Sequence, residues 1–124
     1  MPTLSHPFDT QKITKQIHMR VAITALRSSL ESRIDNHFGR SAYFVIYDKE
    51  RKSIEFFPNP FLSMTEGAGA AAVQLLADQG VSQIVSGEFG YKIKALIDSL
   101  RIQMIILKES DKTIQEIIDL LDKH

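Results

Sequence analysis

Cysteine is missing from all 124 residues, and that one absence removes disulfides, thiolate metal sites and any cysteine-held iron–sulfur cluster. It fits a reducing compartment. Net charge is missing too: Lys plus Arg number 15 and Asp plus Glu number 15, so no global basic field draws in nucleic acid or an anionic membrane. No apolar run approaches the roughly 18 residues that a membrane span needs. The opening "MPTLSHPFDTQKITKQIH" lacks the charged start and apolar centre of a secretion signal. The expected setting is therefore the cytoplasm, with neither nucleic acid nor membrane as partner.

What is present is a good supply of apolar residues. They make up 44% of the chain, and a chain of this length folds as one compact domain that buries roughly two thirds of its unfolded surface. Residues 1–18 stand apart from the rest: they hold two prolines and no sustained apolar period. They read as an N-terminal extension, either loose (or translated from an early start codon) or an arm anchored by Phe8, Ile13 and Ile17. The domain proper is expected to span residues 19–124.

From Met19 onward the elements follow in a clear order. "RVAIT" (20–24), "AYFVIYD" (42–48) and "SIEFFP" (53–58) are β-branched and aromatic runs, which favour strands. The short polar break after Asp48 predicts an antiparallel hairpin between the second and third. Asn59 and Pro60 then open a loop. "EGAGAAAVQLLADQG" has Ala68, Ala72, Leu75 and Leu76 near helical spacing, and Gly80 supplies a left-handed stop. "SQIVSG" (82–87) predicts a fourth strand. "YKIKALIDSL" (91–100) carries one helical stripe, Ile93, Leu96, Ile97 and Leu100. "IQMIIL" (102–107) is apolar almost throughout, the pattern of a strand covered on both faces. The final helix repeats the stripe at Ile114, Ile117, Ile118 and Leu121, with Ser110 or Asp111 expected as its cap.

The order β-β-β-α-β-α-β-α predicts a three-layer α/β/α domain with a mixed five-stranded sheet and right-handed crossovers. It is the element order of the ribonuclease H-like architecture, an analogy of fold that carries no function by itself.

In such a sheet, ligands sit beyond the carboxyl ends of the parallel strands. Three segments should gather there: the loop after the first strand with "DNHFGR" (35–40), "TEGAG" (65–69) and "SGEFGY" (86–91). Gly67, Gly69, Gly87 and Gly90 let backbone come close to a ligand, and helix starts point free N–H groups at anions. The same glycines also suit close helix–sheet packing. "GAG" matches neither the phosphate-binding nor the dinucleotide-binding glycine pattern. His37 can donate a ring nitrogen to iron or another transition metal, or serve as a surface hydrogen-bonding residue. Arg40 can bind an anionic cluster, or pair with Asp35 or Asp48. Phe38 reads as the anchor that ties the loop to the core. His6, His18 and His124 sit at the chain ends and form no ligand spacing.

The pattern "ITA…S.LESRIDNHFGRSAYFVIYD…FFPNP…GAGAAAVQLLADQGVSQIVSGEFG" resembles the dinitrogenase iron–molybdenum cofactor biosynthesis family, the NifX-like accessory proteins, over about residues 19–108. "HFGR", "GAG" and the Gly87–Gly90 pair carry the resemblance most specifically. It implies a ribonuclease H-like fold and a role in carrying or inserting iron–sulfur cofactors. It makes His37, the histidine before "FG", the expected cluster ligand. Tyr91 departs from the family, where a proline is common after the second glycine.

The resulting expectation is a non-enzymatic carrier of an iron–sulfur or iron–molybdenum type cluster. His37 ligates, Arg40 neutralises charge, and Gly67, Gly69, Gly87 and Gly90 shape the pocket; the partner is a cluster-assembly or acceptor protein. A regulatory or scaffold domain that binds a protein without a cofactor is the alternative. A ribonuclease H-like nuclease fits less well, because it needs converging carboxylates on a metal pair, and "RVAIT" has none.

Overall fold

The structure, a computed structural model, describes residues 19–108 and 111–123. The expected boundary of the 1–18 extension lies outside these residues, as do Ser110 and the terminal histidines His6, His18 and His124. Five strands, β1 (Arg20–Ala25), β2 (Tyr43–Asp48), β3 (Ser53–Pro58), β4 (Gln83–Ser86) and β5 (Gln103–Ile106), form one sheet. Among the described residues three helices, α1 (Ala68–Asp78), α2 (Tyr91–Ser99) and α3 (Ile114–Asp122), cover it. The strand order is β3-β2-β1-β4-β5. The β2–β3 hairpin is antiparallel as expected, β1 pairs antiparallel with β2, and β1, β4 and β5 run parallel. This is the three-layer, ribonuclease H-like arrangement that the element order implies.

Alternation along the central strands sorts the core into two layers. Ala22, Phe44, Ile46 and Ile84 face α1 and α2, packing with Ala72, Val73, Leu76 and Ile97. Val21, Ile23, Val45, Tyr47 and Val85 face α3 and meet Ile114, Ile117 and Ile118. The helical stripes therefore land where their periodicity places them, with two adjustments. Val73 is buried and Leu75 only partly so, and Leu100 at the end of α2 is exposed. Gly80 takes a φ of 79° and ends α1, the left-handed stop expected of it.

Two expectations about the C-terminal half need correction. β5 is not covered on both faces: it is the edge of the sheet, and Ile106 is 45% exposed. Apolar content alone does not distinguish a central strand from an edge strand. The cap of α3 is Thr113 rather than Ser110 or Asp111; its side chain accepts from the Glu116 N–H while the Glu116 carboxylate accepts from the Thr113 N–H. This reciprocal pair satisfies two of the free donors at the helix start.

At the far end of α3, the Tyr47 hydroxyl donates to Asp122 Oδ1 at 2.6 Å and Lys52 Nζ donates to the same oxygen at 3.1 Å. The Tyr47 hydrogen bond first, and then Lys52, hold the Asp122 carboxyl below the usual carboxylate range. A lowered value in the folded state contributes stability that is fully present above the ordinary carboxylate value and is lost as pH falls through the lowered one. Asp122→Asn should remove this dependence. Thermal melts from about pH 7 down to about pH 3 should show the parent's advantage over the variant shrinking with acid. A constant difference would mean that the carboxylate contributes nothing through its charge.

Candidate functional site

β1, β3, β4 and β5 all end at one edge of the sheet, and the segments that follow β1, β3 and β4 build a cleft there. Its volume is about 300 Å³, and its walls include His37, Gly39, Arg40, Gly67, Gly69, Glu88 and Gly90. Five of the six expected site residues thus meet in one place, from three segments. Gly87 is the exception; it opens on a neighbouring depression with Asn36, Lys94 and Lys108.

The "DNHFGR" loop is shaped from within. Asp35 is buried, and its carboxylate accepts from the His37 N–H at 3.0 Å and the Ala42 N–H at 3.2 Å. Its own N–H donates to the Thr24 carbonyl, and its carbonyl accepts from the Thr24 hydroxyl at 2.7 Å. Asp35 therefore closes the loop onto the end of β1 and the start of β2. Phe38 is buried as expected and stacks at 5.7 Å from Phe44 and 5.5 Å from Phe89. Those spacings suit tilted aromatic pairs, and they clamp the loop to segment 86–91. A parallel bridge between His37 and Glu88 completes the seam.

His37 projects from this fixed base. Its side chain is 68% exposed, and Nδ1 lies 3.4 Å from the Asp35 carboxylate. The ring therefore stands beside a carboxylate at the cleft mouth, and as a neutral imidazole it can offer a nitrogen to a metal. Arg40 bonds to neither Asp35 nor Asp48 in its observed contacts; its guanidinium donates to the carbonyls of Leu62, Met64 and Thr65 at 3.1, 2.7 and 3.3 Å. Its charge stays at the cleft while its donors fasten loop 59–65 to the "DNHFGR" loop.

The two helices at the cleft begin on glycine. Gly67 caps α1 and Gly90 caps α2, and neither end has a side-chain cap. The contrast with the fully capped α3 is chemically useful, because first-turn N–H groups left without side-chain partners suit an anion. Among the cleft glycines only Gly67 needs its residue type for conformation, with a φ of 80°. Gly87 is needed for space: a Cβ there would stand 2.7 Å from Asn36 Cα.

The close packing expected of "GAG" exists, but it joins helix to loop rather than helix to sheet. A Cβ on Gly39 would fall 2.8 Å from Gly69 Cα, so the two backbones touch. Neither partner can yield locally, and overpacking of this kind costs about 1–3 kcal/mol. Gly39→Ala should therefore melt at clearly lower temperature than the parent. Gly69→Ala meets only the flexible tip of Ile93, at 2.7 Å. A displaced rotamer is offset by better helix propensity, and that variant should stay within about 1 kcal/mol of the parent. Thermal melts of the pair check both, and equal losses would contradict the packing argument.

Glu88, Gly39 and Ile93 are cleft residues that local sequence patterns left unremarked. Gly39 was in plain sight beside His37, whereas Glu88 and Ile93 reach the cleft only through tertiary folding. Among the described residues, no three His, Asp or Glu side chains come together as a metal-binding group. No described helix is long and apolar enough to cross a membrane.

Fold and cleft together define a three-layer α/β/α domain with glycine-rich loops gathered beyond its parallel strands. Residues 19–124 match the family model described as dinitrogenase iron-molybdenum cofactor, and the chain belongs to that family. Among solved structures it is similar to the apo form of the orange protein from Desulfovibrio gigas. Identity is 29% and the TM-score 0.78, covering 86% of this chain and 90% of that one. A Thermotoga protein provisionally named NifB is 28% identical with a TM-score of 0.72, covering 85% and 88%. A provisionally named dinitrogenase from Methanocaldococcus jannaschii shares the fold, at 17% identity and a TM-score of 0.59 over 86% and 90%. No curated protein matches the chain.

Proposed function

We propose that the protein is a non-enzymatic carrier that takes up an iron–sulfur or iron–molybdenum type cluster at this cleft and passes it to a partner in cofactor assembly. The observation that carries the reading is His37: an exposed imidazole beside the buried Asp35 carboxylate at the mouth of a cleft faced by two helix starts without side-chain caps. The donor chemistry fits such cargo. An imidazole nitrogen suits iron, and the helix starts with Arg40 favour an anionic body. One nitrogen ligand and no thiolate make a site that releases its load readily, as a carrier must. Family membership supports the same reading.

Anaerobic addition of a preformed cluster, followed by gel filtration, metal analysis and an absorption spectrum, tests the proposal. Stoichiometric metal co-eluting with the protein is the expected result; cluster that elutes entirely apart from it would end this reading.

A protein-binding role has its own observation. Leu62 is 46%, Met64 38% and Tyr91 90% exposed, and all three belong to the segments that frame the cleft. Exposed apolar and aromatic side chains of this kind mark interaction surfaces. In the carrier reading, they are where the cluster-assembly or acceptor protein docks.

A further inference from the structure

The two faces of the sheet are unequally covered. Among the described residues, α1 and α2 share one face, and α3 alone lies on the other. A helix with its side chains is about 10–12 Å across, whereas five strands span about 19 Å between the outer two. α3 sits over β1 and β2, where Tyr47 reaches Asp122. The consequence is an apolar groove of about 360 Å³ beside it, lined by Met19, Val85, Ile105, Leu107, Leu120 and Leu121 among others. Leu120 is 41% exposed on its rim.

The chain itself supplies an occupant. Met19 is part of the groove wall, and it is pinned: its carbonyl accepts from the Lys49 N–H at 2.9 Å and its sulfur from the Ser82 hydroxyl at 3.0 Å. The 18 residues that precede it carry Leu4, Phe8, Ile13 and Ile17. They start at the groove, and at full extension they reach about 60 Å, several times the width to be covered.

We propose that residues 1–18 fill this groove of their own chain, placing Phe8, Ile13 and Ile17 against the uncovered side of β4 and β5. The arm then acts as the second cover of this face. It covers β4, whose carboxyl end leads into the cleft, together with the edge strand β5, and it does so independently of what the cleft carries.

The absence of cysteine makes the test direct, because a single introduced thiol is unique. Gln103→Cys, exposed at the start of β5, places a spin label beside the groove. Ser53→Cys at the start of β3 places one at the opposite edge of the sheet. Amide signals of Phe8 to Ile17 in the full chain should vanish with the label at position 103 and persist with it at 53. A sample in which only the labelled chains lack the NMR isotope separates own chain from second copy. Signals that persist with both labels would overturn the proposal. So would broadening that appears only between chains, since a second copy would then be the occupant.

Discussion

Asp35→Ala in the "DNHFGR" loop should lose about 2–4 kcal/mol of stability. The side chain is 6% exposed and accepts from two backbone N–H groups, of His37 and Ala42. Alanine leaves both donors without their partner in a part-buried seam. Hydrogen bonds to a charged acceptor are each worth about 1.5–3 kcal/mol, and the part-buried donors are only partly compensated by water. Asp35→Asn keeps one acceptor oxygen but turns an amide N–H₂ towards the other donor, so it should recover only part of the loss. Denaturant unfolding of the three proteins gives the order parent, Asn, Ala. If Ala and parent unfold alike, the loop is held by Phe38 alone and the account of its closure is wrong.

The value of that result lies in the question the loop poses as sequence. An acid, an imidazole, a glycine and a guanidinium within six residues read equally as ligands or as local structure. In three dimensions they divide. Asp35 closes the loop, Gly39 makes room for the start of α1, and Arg40 fastens loop 59–65. His37 alone points away from these tasks.

Local patterns revealed what depends on period and local turn chemistry: the strands, the hairpin, the stop at Gly80 and the gathering of three loops at one edge of the sheet. They could not reveal contacts between segments far apart in the chain. The Gly39–Gly69 and Asn36–Gly87 backbone approaches join loops that share no local signal, so the glycines of "GAG" and "SGEFG" read as ligand-binding when part of their work is fit. The edge position of β5 escaped for a related reason. "IQMIIL" is as apolar as a central strand, yet only one of its faces meets a helix, α2, while the other opens on the groove beside Ile105 and Leu107 and Ile106 is left exposed.

His37→Ala should separate binding from folding more cleanly than any other change. The side chain is 68% exposed, and the backbone N–H that Asp35 holds survives the substitution, so stability should move by no more than about 0.5 kcal/mol. Binding should fall at least about tenfold, equivalent to about 1.4 kcal/mol, because the substitution removes the imidazole donor and leaves the cleft's shape alone. Arg40→Ala should weaken binding less, since it supplies charge without a coordination bond.

The decisive measurement is an anaerobic titration of parent and His37→Ala with the same preformed iron–sulfur or iron–molybdenum cluster, read by absorption, with melts of both proteins alongside. The account predicts saturable binding by the parent and the tenfold loss in a variant that melts with it. A variant that binds as tightly as the parent would contradict it.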